Sequence, residues 1–432
     1  MPAARKKPPP RQPARRRAPA AAVSPDSVRI RMYNVGFGDC ILLMFDFADG
    51  PRTMLVDCGA HLGGSASPMA SVRADLFEAV RRDGTPRIDV VVATHRHFDH
   101  ISGFDSKDWD GVSVGEVWMP WTEERGVVAA DALRTKQKRA AAALSARFPT
   151  ADTPVGWLAM NSLSNKGAEQ TLLNGFDGDP DHRYLPAVDR HDRSFSTDLL
   201  PGVRIHALGP SHDPAIVATL DPPKGKYFPP PPDENGANPA AAGTGVGAGS
   251  SAAGRIFPDR YRIEPARYHA TYPRLADHAD MAEVQRRAEE DFLGAAAALE
   301  DAINGTSLVL VLEIGARCIV LGGDAEWGTW SEILDDAEWC DLLRRTAVYK
   351  VSHHGSYNGT PKPFVDDLLP DDAISLVSLR PIENWPSIPR TTLLDALETG
   401  ARTLVRTDHI ATAPAAATHN GDLSIEVNLA LR

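Results

Sequence analysis

From residue 28 onward, apolar residues alternate or cluster in short blocks, each closed by glycine, aspartate or a polar group. "VRIRMYNVGFGDCILLMFDF" (28–47) predicts two strands meeting at a glycine-rich turn, and "TMLVDCG" (53–59) predicts a buried strand ending in Asp57 and Gly59. "MASVRADLFEAVRRDG" has helical spacing and stops at Gly84, after which "IDVVVAT" supplies another short apolar strand. From about 122 to 200 the pattern turns helical and irregular, with "DALRTKQKRAAAALSARF" the clearest helix, and reads as an insertion over the core. "VRIHALGP" (203–210) returns to strand, and 279–303 predicts a helix with an Ala/Leu face opposite "QRRAEED". "SLVLVLEIG" and "RCIVLGGD" predict a hairpin about Gly315, followed by strands in "TAVYKVSHHGS" and "AISLVSL". A helix at 391–400 and "RTLVRTD" close the predicted fold. Strands followed by helices in this rhythm predict a layered α/β fold.

Two segments fall outside that rhythm. Residues 1–25 hold seven of the 46 Lys and Arg and no acid, which leaves 39 bases against 57 acids in the rest. A basic, Pro/Ala-rich arm on an acidic body reads as a disordered tail, either a solvated extension or a loose grip on nucleic acid. Residues 221–254, rich in Pro, Gly and Ala, hold too little apolar surface to order themselves and read as a flexible loop. The expected organisation is therefore an arm (1–25) and one domain (26–432), interrupted by the insertion at 122–200 and the loop at 221–254.

Other classes are disfavoured. The four cysteines are scattered and form no CxxC, so neither a disulfide framework nor a cysteine zinc site is expected. The basic start is followed by no apolar stretch, and no run of 18 apolar residues occurs. A soluble, cytoplasmic protein without membrane contact is expected.

The chemistry concentrates in "VVVATHRHFDHISG" (90–103), where His95, His97, Asp99 and His100 crowd one turn beyond an apolar strand. Loops at strand ends are where α/β folds present ligands. Imidazole with carboxylate is a donor set for Zn²⁺, and it also suits Mn or Fe. The spacing points to one or two divalent ions, His95 and His97 serving one and Asp99 and His100 the other.

"THRHFDH" resembles the HxHxDH signature of the metallo-β-lactamase superfamily, an αββα sandwich with one or two metals at its rim. "YNVGFGDCILLMF", "LVDCG", "NGTSLVLVLEIGARCIVLGGDAEW", "YKVSHHGS" and "VRTD" are similar, in order, to segments of the hydrolase domain of ComEC-type DNA-uptake proteins. The resemblance implies that Asp324 bridges both metals, and a carboxylate beyond an apolar strand is costly unless paired or metal-bound. It implies that Asp57 orients a ligand histidine, against the plainer reading of a turn aspartate. Either His353 or His354 is implied as a further ligand, the other contacting substrate together with Ser356. Asp99 would orient the attacking water and His354 would stabilise developing charge. Two departures stand out: no third histidine for the first metal is evident beyond His206 and His212, and Ile388 stands where a histidine is usual. The implied activity is metal-dependent phosphodiester hydrolysis, with nucleic acid or a nucleotide as substrate and DNA cleavage the first reading. A small-molecule hydrolase of cyclic nucleotides, lactones or thioesters and a non-catalytic metal-bearing regulatory module are the alternatives.

Overall fold

The computed structural model describes residues 24–61, 67–148, 154–163, 165–188, 192–231, 292, 294–381 and 387–431. Residues 1–23 of the expected arm, 232–254 of the expected loop and 279–291 of the expected helix lie outside these. Residues 294–304 are helical.

Two sheets face each other. In the first, β1 (Ser27–Tyr33), β2 (Cys40–Phe47), β3 (Gly50–Cys58), β4 (Arg81–Arg82), β5 (Thr85–Val92), β6 (Ser113–Pro120) and β7 (Asp181–Leu185) come from the amino-terminal part. The second sheet contains β8 (Ser194–Phe195), β9 (Arg204–Gly209), β10 (Val309–Ile314), β11 (Arg317–Leu321), β12 (Thr346–Lys350), β13 (Ile374–Val377) and β14 (Thr403–Arg406). The chain then returns to the first sheet through β15 (Ala417–Asn420) and β16 (Ser424–Ala430). The orders are β15-β16-β1-β2-β3-β5-β6-β7, with β4 on β5, and β14-β13-β12-β11-β10-β9-β8.

The side-chain pattern follows from what covers each face. β2 reads CILLMFDF and is buried at nearly every position, because both of its faces are packed. β1 alternates, with Arg29 and Arg31 turned away from the core toward Asp46, Asp75 and Glu426. The inner faces of both sheets, Ile30, Leu43, Val92, Leu310 and Leu321 among them, make one core. The outer face of the first sheet packs on α1 (Met69–Ala79) through Val72 and Leu76, and on a helix at Lys166–Asn174 through Leu172. The outer face of the second packs on helices that supply Trp330, Ile333, Leu343 and Leu397. Helix, sheet, sheet, helix is therefore the layer order, as expected.

Two local expectations change. "RTLVRTD" does not close the fold, since β16 pairs antiparallel with β1 over Ser27 to Tyr33 and puts the carboxyl-terminal strand inside the first sheet. Residues 122–200 are not only helical, because β7 pairs parallel with β6. The helical part comprises α2 (Val128–Arg147), α3 (Pro154–Leu163) and α4 (Lys166–Asn174). Ala141, Leu144, Leu158 and Ala159 form a small separate core with Leu299 and Ile303 of the 294–304 helix. The insertion and that later helix thus make one roof.

Candidate metal centre

Parallel strands deliver the site. The histidine turn follows β5, Asp57 lies near the end of β3, Asp324 follows β11, and His353 and His354 follow β12. Glycines let these loops close on one another. A Cβ on Gly38 would sit 2.5 Å from the Gly59 carbonyl oxygen and 2.6 Å from that of Asp99, and Gly38 has φ of +141°. The Asp39 amide donates to the Asp99 carbonyl at 3.0 Å, and the Leu308 amide donates to Thr94 at 2.9 Å, joining the two halves of the site.

Hydrogen bonds fix which nitrogen each histidine presents. The Asp57 carboxylate accepts from the Thr94 amide and hydroxyl, both at 2.7 Å, and lies 2.8 Å from His100 Nδ1. His100 Nδ1 therefore carries its proton, and Nε2 faces Asp324 at 3.1 Å. The Thr94 hydroxyl, already donating to Asp57, accepts from His95 Nδ1 at 3.1 Å, which turns the His95 Nε2 lone pair toward His97 Nδ1 at 2.9 Å. His354 Nδ1 donates to the Ser378 carbonyl at 2.9 Å, leaving Nε2 3.5 Å from both Asp99 and Asp324. One buried carboxylate, Asp57, thus orients two of the four histidines.

Without a cation these charges are poorly balanced. Burial favours a neutral Asp324 and a neutral Asp99, but His100 and His354 outweigh it and hold both carboxyls well below their usual range. Burial likewise opposes charge on His100 and His354, and the surrounding carboxylates still push both upward. Burial takes His97 down to about 3 and His95 well below its ordinary value. Among the described residues, Asp99 Oδ1, Asp324 Oδ1 and His354 Nε2 are buried without a hydrogen-bond partner. With the His95 Nε2 lone pair directed at it, His97 Nδ1 donates across 2.9 Å, which leaves the buried His97 Nε2 lone pair without a hydrogen-bond partner among the described residues. Buried lone pairs without partners and clustered carboxylates are what a divalent ion satisfies.

Asp99, His100, Asp324 and His354 form a group whose ligand atoms lie within 4.8 Å of one another, and Asp39, Asp57 and His100 form another. His95 and His97 stand beside the first group, and the ring centroids of His95 and His100 are 4.1 Å apart. His353 does not join them. Its Nδ1 lies 3.1 Å from Asn358 and its Nε2 3.3 Å from Asn304. Ser356 is buried and donates to Asn358 at 2.8 Å. His206 pairs with Glu313 at 2.8 Å and His212 donates to the Pro186 carbonyl at 3.0 Å, so neither supplies a third histidine. Ile388 is half-buried in a loop whose next residues brace the turn after β12, with the Arg390 amide donating to the Gly355 carbonyl at 2.8 Å.

Sequence reasoning missed several neighbours. Lys350 and Asp39, both 2% exposed, form an ion pair of 2.7 Å directly behind the site. Glu300, on the roof helix, approaches His97 Nε2 at 3.5 Å. His61 is buried beyond Gly59, where burial, partly offset by Asp99, lowers it to about 4. A lysine inside the apolar run "TAVYKV" was the one available signal; the other contacts depend on tertiary structure.

Residues 34–106 match the family model described as the metallo-beta-lactamase superfamily. The fold is the metallo-β-lactamase sandwich. No curated protein matches the chain significantly. Superfamily members are mostly hydrolases, and the match together with the His/Asp groups suggests a metal-dependent hydrolase. Among the described residues no helix is long and apolar enough to cross a membrane. If Asp57 orients ligand histidines, Asp57→Asn lowers metal affinity by about 10–100-fold, read by competition with a chromophoric chelator. An affinity equal to that of the unaltered protein would assign Asp57 to the turn alone.

Proposed function

We propose that the protein is a metal-dependent phosphodiesterase that cleaves DNA. The observation carrying this reading is the placement of α2. Its "RTKQKR" segment exposes Lys136, Lys138 and Arg139, while the buried Gln137 accepts a 2.6 Å hydrogen bond from Arg96 within the histidine turn. A cationic surface anchored to the candidate centre suits a polyanion, since phosphate contacts need clustered Lys and Arg. The ComEC-type resemblance of five ordered segments supports the same substrate class.

Asp99, His100, Asp324 and His354 would hold one divalent ion, with His95 and His97 placed for a second. Zinc is the proposed ion, with Mn or Fe as substitutes. An ion held there supplies Lewis acidity, polarising a phosphoryl oxygen and lowering the pKa of water. The chain's own contribution is orientation: Asp57, Thr94 and Ser378 keep the histidine lone pairs aimed at the ion. Asp99 Oδ1, without a hydrogen-bond partner among the described residues, would orient an attacking water.

A second reading, a small-molecule hydrolase, is favoured by the roof. Glu300, held by Asn161 and Ser162, lies 3.5 Å from His97 Nε2 on the roof side of the site. One assay separates the two. Single-stranded DNA, duplex DNA and a bis-phosphodiester reporter are incubated with protein loaded with Zn²⁺ or Mn²⁺, against a His97→Ala/Asp324→Ala double variant. Cleavage of DNA, falling with salt and absent from the double variant, is the expected result. Turnover of the reporter alone, insensitive to salt, would replace DNA with a small substrate.

A further inference from the structure

A cavity behind the histidine turn carries charge that the metal centre does not use. It opens between α2, α4 and the end of β6, with His95 and Arg96 of the histidine turn on its inner wall. Ile101, Met119, Leu172 and Leu173 give it apolar walls, while Arg96, Arg125, Arg134 and Lys138 outnumber Glu123 and Glu169 around it. Three of these six charged groups are already well paired: Lys138 lies 3.1 Å from Glu169, and Arg134 holds Asp131.

Of the other three, only Arg96 is buried. Its guanidinium side chain is 4% exposed, and only Nη2 makes a hydrogen bond, to Gln137. Nη1 lies 3.5 Å from Glu123 without hydrogen-bonding geometry, and among the described residues neither Nη1 nor Nε has a hydrogen-bond partner. Both atoms are buried, so an anion reaches them only by displacing the Glu123 carboxylate that lies against Nη1. A buried guanidinium with two open donors is costly, and its fork geometry matches a carboxylate or phosphate. The Glu123 carboxylate, poorly aligned, is a weak competitor that a better-placed oxyanion displaces.

We infer that this cavity binds a small organic anion, a carboxylate or phosphate monoester with an apolar body, whose charged head satisfies Arg96. The cation excess selects the anionic head, and the apolar walls select the body. This site needs neither a metal nor cleavage, so it stands or falls apart from the nuclease reading.

The test is calorimetric titration of the full-length protein with phenyl phosphate and benzoate, with phenol as the neutral control. Saturable binding of at least one anion and none of phenol is expected. Arg96→Met should weaken binding about tenfold or more, as loss of charged hydrogen bonds requires. Because Arg96 is buried and its loss can disturb the turn, Lys138→Glu reverses a charge on the exposed rim and should weaken the same titration. Asp324→Ala, which does not alter a cavity-lining residue, should leave it unchanged. Binding lost with Asp324→Ala but kept in Lys138→Glu would place the anion on the metal instead and overturn the proposal. Equal binding of phenol, or no saturable binding of either anion at millimolar concentration, would overturn it as well.

Discussion

Asp324→Ala is expected to strip the protein of a tightly held divalent ion and to abolish hydrolysis. The carboxylate lies 3.1 Å from His100 Nε2 and 3.5 Å from His354 Nε2, and among the described residues its second oxygen has no hydrogen-bond partner. It therefore faces both the histidine turn and the turn after β12. Removing it leaves Asp99 as the sole carboxylate of the four-donor group and returns net positive charge to the site whenever the histidines are protonated. Elemental analysis after dialysis should show fewer metal equivalents than the unaltered protein, and phosphodiester turnover should fall by about three orders of magnitude or more, the scale on which loss of a principal electrostatic group acts. Asp324→Asn keeps the shape but not the charge and should lose metal nearly as fully. Retained stoichiometry in both variants would move the centre to His95 and His97 alone and sink the bridging role. Chelation of the unaltered protein should reproduce the loss of turnover, and Zn²⁺ or Mn²⁺ should restore it.

Part of this centre was legible because its donors are close in sequence. His95, His97, Asp99 and His100 fall within six residues, and an apolar strand before them fixes where the turn must lie. Asp324 and Asp57 became visible through short motifs at the ends of buried strands, and the structure brings both to His100. The choice between His353 and His354 was not legible. Both take left-handed backbone, with φ near +48° and +49°, and only the closed loops show that His354 turns inward against Phe37 while His353 turns to Asn358. Glu300 was illegible for another reason, because it approaches His97 across a roof built from segments far apart in sequence. The strand errors have local causes. β7 reads DHRYL, a mostly polar edge strand without the alternation that marks a buried face. β16 does alternate, with Ile425, Val427 and Leu429 inward beyond the Asn420–Gly421 turn, and so held a usable signal after the apparent close at "RTLVRTD".

The second large effect concerns stability, and it runs opposite to metal affinity. Lys350→Met is expected to cost about 3–5 kcal/mol, the range for breaking a buried ion pair by removing one partner. Lys350 Nζ sits 2.7 Å from Asp39 Oδ2 and donates to the Val351 carbonyl at 3.0 Å, with both charged side chains 2% exposed. Burial opposes the charge on Lys350, yet Asp39, Asp324 and Asp57 outweigh it and keep the ammonium protonated. Methionine fills a similar volume, so the cost falls on Asp39, which already has one oxygen without a partner and would then be buried uncompensated. Lys350→Met/Asp39→Asn should recover most of the loss, because the orphaned charge goes with its partner; urea unfolding followed by tryptophan fluorescence measures both. The same ammonium is a fixed positive charge near the carboxylates proposed to hold metal, and it repels a divalent ion. Lys350→Met should therefore bind metal more tightly than the unaltered protein while unfolding at lower urea. A single variant that loses stability and metal affinity together would mean that Lys350 shapes the loops rather than balancing their charge. A loss below about 1 kcal/mol would mean that Asp39 finds water or a proton when the lysine is gone.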